Sequence, residues 1–145
     1  MKRPLSMWIA AGFAGLVSLS LIGNVVGLVL GQLNPVEQAA RPATFLIVSA
    51  IGGVLHFLWA RAAWRVSERA LQHAGLCMFY LAIVLLLFWI APSFLFEQAK
   101  ENLIQVQPLN VALWLAIYAV MIALTLHLKR AGKLRQTIPM RNKEH

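Results

Sequence analysis

The sequence predicts an all-α integral membrane protein. Four antiparallel transmembrane helices are expected at about 7–30, 43–62, 75–96 and 109–128, forming an up-down bundle with both termini in the cytoplasm. Three observations carry this reading. Of the 145 residues, 60% are hydrophobic and only 12% charged, against about 25% charged in an ordinary soluble domain. A chain this short could not hide so much apolar surface in one core, because small domains leave much of their surface exposed. The apolar residues gather into runs about as long as the roughly 20 helical residues that cross a hydrocarbon core of about 30 Å. Finally, the charges stand at the ends of those runs and are divided unequally between the two sides.

The first run, Leu5–Leu30, contains no charge and follows Lys2 and Arg3. It is too long for the hydrophobic core of a cleaved signal peptide, about 7–15 residues, so it reads as a retained span. Gly23, Gly27 and Gly31 fall four apart, with Ser20 and Asn24 near the same stripe. Such spacing keeps small residues on one face, where helix backbones approach closely in lipid. This face is read as a helix contact, within the bundle or with a partner. Gln32–Pro42 is a polar connection in which Asn34-Pro35-Val36-Glu37 has the form of a helix start. About one turn of surface helix is expected there, ended by Pro42.

In the second span, Ser49, Gly52, Gly53, His56 and Ala60 form a small and polar stripe. It is the natural mate of the glycine face of the first helix, and it turns His56 into the bundle. Trp59 and Trp64 flank Arg61 and suit the headgroup level. Arg61, Arg65 and Arg69 recur every four residues and read as a solvated or phosphate-facing stripe. The third span, through LAIVLLLFWI, is uniformly apolar and reads as lipid-facing, with Pro92 kinking or ending it. Glu97–Pro108 alternates apolar and charged residues, as a wet connection or a short interfacial helix does. The fourth span places Trp114 and Tyr118 in its outer half. The basic tail, 129–145, has few apolar residues and is expected to be mobile and cytoplasmic.

Four spans put both termini on one side. That side holds two positive residues before the first span, three in Arg61–Arg69 and six in the tail; the other holds only Arg41 and Lys100. Short loops with this bias face the cytoplasm, which by analogy places the protein in a bacterial inner membrane. The same distribution explains the net charge of +8 as contact with anionic headgroups rather than with nucleic acid.

The chemistry on offer is sparse. No Asp, Glu, Lys or Arg lies within Leu5–Leu30, Ala43–Ala60, Ala74–Phe96 or Leu109–Leu128. Intramembrane ionisable groups mark ion paths and proton relays, so a self-contained ion-coupled pump is not expected. There are no paired carboxylates, no Ser-His-Asp set and no phosphate-binding glycine loop with its Lys-Ser/Thr. One cysteine excludes an internal disulfide. The remaining constellation is His56, His73, Cys77 and His127, all placed towards the cytoplasmic end. Imidazole and thiolate can ligate a divalent metal, and two histidines on different helices can hold a haem b iron.

The function expected is therefore that of a non-enzymatic membrane protein, with the lipid bilayer as solvent, that binds another membrane protein or itself. An accessory subunit or an immunity-type protein fits, the latter by fold-level analogy. The alternatives are a haem- or metal-binding redox protein and an oligomeric channel or transporter.

Overall fold

The structure, a computed structural model, describes residues 4–31, 42–90 and 108–134. These residues are helical apart from short turns and ends. Four helices are long and apolar enough to span a membrane: α1 (Leu5–Leu30), α2 (Pro42–Trp64), α3 (Arg69–Ile90) and α4 (Pro108–Arg130). In lipid a helix satisfies its own backbone polar groups, which is why continuous apolar runs adopt it there.

Each helix packs on its neighbour in sequence, and α4 closes back onto α1. The α1–α2 interface is the largest. It runs through a stripe of small residues in α1: Ala10, Ala11, Ala14 and Ser18 are all buried. Ala62 and Ala63 on α2 and Ala70 and Ala74 on α3 are buried in the same core. Small side chains let helix backbones come close.

The core is lopsided. On α1 no residue after Ser18 is buried; on α2 none of the described side chains before Ser49 is; on α3 none after Cys77; on α4 none before Tyr118. Burial thus runs from the end of the molecule that holds the α2–α3 turn to about the middle of the helices. Toward the other end the described side chains are partly buried or exposed.

Several expectations are corrected. Helix α3 begins at Arg69, well before residue 75. The Arg69 N–H donates to the Ser67 hydroxyl (3.3 Å) and the Ala70 N–H to the Ser67 carbonyl (3.0 Å), so a serine turn starts the helix early. The helix is described as far as Ile90, and Pro92, expected to kink or end it, lies outside the described residues. Pro42 opens α2, and at a helix start its missing N–H costs nothing. The arginines do not form one helical stripe, because the chain turns between Arg65 and Arg69. The Val66 N–H reaches the Ala63 carbonyl (3.0 Å) and the Ser67 N–H the Ala62 carbonyl (3.0 Å), with Val66 at φ 54°. The expected surface turn at Asn34–Glu37, the Glu97–Gln107 connection and the tail beyond Leu134 lie outside the described residues.

Candidate functional site: a buried histidine and tyrosine cluster

The only buried histidine among the described residues is His56, on α2. A polar ring at this depth requires partners, since an unpaired polar atom in hydrocarbon costs several kcal/mol (roughly 2–7). It has one at each nitrogen. Nδ1 donates to the Gly52 carbonyl one turn back (2.7 Å). Nε2 accepts a short hydrogen bond from the Tyr118 hydroxyl of α4. With a carbonyl on one side and a hydroxyl donor on the other, the geometry suits a neutral imidazole carrying its proton on Nδ1.

Aromatic rings enclose this pair. Phe13 of α1 meets Tyr118 edge-on at 5.5 Å and Trp59 at 5.9 Å. Trp59 lies 5.7 Å from Tyr118, and Tyr80 of α3 is edge-on to His56 at 6.3 Å. All four helices therefore supply a ring. Among the described residues, Nε1 of the fully buried Trp59 has no hydrogen-bond partner. Tyr80 donates to the Val48 carbonyl (2.7 Å), and Ser18 of α1 donates to the Gly53 carbonyl (2.9 Å). Glycine at 52 makes room for Tyr80: a Cβ there would stand 2.5 Å from its hydroxyl oxygen and 2.9 Å from a methyl of Leu21. Thr125 turns its hydroxyl back to the Met121 carbonyl (2.8 Å), one turn earlier on α4.

The four candidate ligands lie on three helices. His56 has both nitrogens engaged. His127 is exposed in the last turn of α4. It is nine residues beyond Tyr118, about 13.5 Å along a helix. Cys77 is buried on α3 as a small apolar side chain. His73, one turn before it, lines a cavity with the arginines. Among the described residues no three His, Cys, Asp or Glu come together as metal ligands. With both of its nitrogens engaged, His56 has none left to offer a haem iron or a metal ion as arranged here.

The helix-contact candidates divide into two groups. Ser49 and Gly53 are buried, and Gly53 faces Ile22 across the α1–α2 interface. Gly23 is exposed, and a Cβ on it would meet nothing within 4 Å. Gly31 is the left-handed cap of α1, its N–H bonded to Gly27 and Leu28 carbonyls. Ser20 is exposed; Asn24 and Gly27 are partly buried. The expected pairing of Gly23 with the α2 stripe is not made, because Ser18, Leu21 and Ile22 occupy that interface instead.

Sequence reasoning placed Trp59 at the headgroup level, and it is core; Tyr118, expected only in the outer half of its span, is core as well. Aromatic type alone suggests the headgroup belt. The available counter-signal was Trp59 standing three residues after His56, on the same helix face. No family matches the chain, and neither a curated protein nor a solved structure is detectably similar to it.

Proposed function

We propose that this chain is a small, non-enzymatic inner-membrane protein that acts by binding another membrane protein, as an accessory subunit or an immunity-type protein. The observation that carries the reading is the lopsided core. Toward the end of the bundle farthest from the α2–α3 turn, no described side chain is buried on α1 after Ser18, on α2 before Ser49, on α3 after Cys77 or on α4 before Tyr118. Gly23, Asn24 and Gly27 lie on α1 beyond Ser18. Gly23 opens onto space, so a contact made there is a contact with another molecule.

The four spans cross in alternate directions with both termini in the cytoplasm. Pairs along α1 and α2 support the alternation: Trp8 meets Trp64, Phe13 meets Trp59, and Ser18 bonds to Gly53, one number rising as the other falls. The sidedness rests on the lysine and arginine distribution. Within this reading the His56–Tyr118 bond is a brace. It joins α2 to α4 across the bundle diagonal and holds the tight end rigid while the open half meets its partner.

The test is Gly27→Leu in native membranes, followed by crosslinking and native electrophoresis. The larger assembly is expected to fall at least about tenfold, because close backbone approach along a GxxxG face does not admit a leucine. An unchanged assembly in the variant sinks the proposal. A product that contains only copies of this chain replaces the foreign partner with a homo-oligomer.

A further inference from the structure

Two cavities at the tight end of the molecule meet at Arg61. The first, of about 350 Å³, is lined by Arg61, Arg65, Ser67, Arg69 and His73, among others. The turn at Val66 assembles it, since doubling the chain back brings arginines from the end of α2 and the start of α3 to one cavity. Among the described residues no ion pair neutralises these three side chains. Glu68, the acidic residue of the turn, is not part of the lining. Nδ1 of His73 is buried and has no hydrogen-bond partner among the described residues. The start of α3 adds the positive end of a helix dipole. Three guanidinium forks and an imidazole around one cavity are the chemistry that takes a phosphate.

The second cavity, of about 440 Å³, is an apolar groove between α1 and α2, lined by Trp8, Gly12, Phe57, Ala60 and Trp64, with Arg61 shared. Trp8 and Trp64 stand edge to face at 4.6 Å. Gly12 keeps the groove open, with no atom within 4 Å of where its Cβ would be. A free phosphate would use the first cavity and leave the groove without purpose. A ligand with an anionic head and a hydrocarbon tail uses both, and the continuity through Arg61 favours it.

We propose that this end of the protein holds one anionic phospholipid, its phosphate among Arg61, Arg65, Arg69 and His73 and an acyl chain along Trp8, Gly12 and Phe57. The proposal rests on the helices spanning a membrane and is independent of any protein partner.

The experiment uses the full chain, purified in mild detergent and stripped of lipid. Phosphatidylglycerol, phosphatidylcholine or inorganic phosphate is then added, with lipid retention read by native mass spectrometry and stability by thermal melting. Phosphatidylglycerol is expected to be retained at one molecule per chain and to raise the melting temperature, with phosphatidylcholine retained at least about tenfold less. Arg65→Gln with Arg69→Gln should cut phosphatidylglycerol retention about thirtyfold, from the usual contribution of two basic residues at an anionic surface. Lys129→Gln with Arg130→Gln removes the same charge elsewhere and should leave retention unchanged. Gly12→Leu fills the groove and should lower lipid retention while Arg65 and Arg69 stay in place, so it keeps the test alive if the arginine variant misfolds. Equal retention of the two lipids, or an equal loss in the Lys129/Arg130 variant, overturns the site. Inorganic phosphate that stabilises the chain as well as the lipid does, with Gly12→Leu silent, overturns the lipid in favour of a soluble anion.

Discussion

At His56 the chemistry of the molecule narrows to two hydrogen bonds. A buried imidazole is tolerable in a membrane helix only if both nitrogens are satisfied, and Gly52 and Tyr118 do this between them. Tyr118→Phe keeps the ring and removes the hydroxyl donor. The expected outcome is a loss of about 1 kcal/mol in thermal or denaturant unfolding in detergent, the usual scale for a side-chain bond between membrane helices. A variant as stable as the parent would mean that the pair does not brace the bundle. That His56 faces inward was legible in the sequence, since it shares a stripe with Ser49 and Gly53. Its partner was not: no spacing rule relates residue 56 to residue 118, and only the closure of four helices brings them together. Gly52 tells the same story. Its composition suggests a generic small-residue contact, whereas the structure shows one specific tyrosine filling the space a side chain would need.

Among the elements, the helix ends are the most informative. Three of them close with a residue in the left-handed region: Gly31 at φ 67°, Val66 at φ 54° and Gly132 at φ 65°. The glycines are ordinary choices there. Valine is not, because its branched Cβ crowds the backbone and costs about 1–2 kcal/mol. Burial of Val66 in the core offsets that strain. Gly132 has no such compensation available, since a Cβ there would meet nothing within 4 Å. Gly132→Val should therefore destabilise the end of α4 by about 1–2 kcal/mol. Hydrogen exchange at the Gly132 and Lys133 amides, which bond to Lys129 and Leu128 carbonyls, is expected to quicken about tenfold. Unchanged exchange would show that the cap does not hold this end. The spans themselves were readable from apolar run length, and their boundaries at Leu30 and near Arg130 agree closely. The start of α3 was not, because Arg69–His73 is polar and its helicity depends on the turn before it.

For the molecule as a whole, the distribution of basic residues predicts an orientation that a fusion experiment decides. A fluorescent protein that matures only in the cytoplasm is expected to be bright when joined after His145. An alkaline phosphatase active only outside the cytoplasm should be active when joined after Gln38. The reverse pattern would invert the assignment and move Arg61, Arg65 and Arg69 to the opposite face. Taken by itself, the sequence determined the solvent, the number of spans and the charge bias. These follow from composition and run length, which are local properties of the chain. Tertiary structure alone decided which face of each helix is core. Hydropathy is nearly uniform around these helices, so it carries no information about which side meets protein and which meets lipid. Packing settles that through shape: alanines where backbones approach, a glycine where Tyr80 enters, and one histidine within reach of one tyrosine.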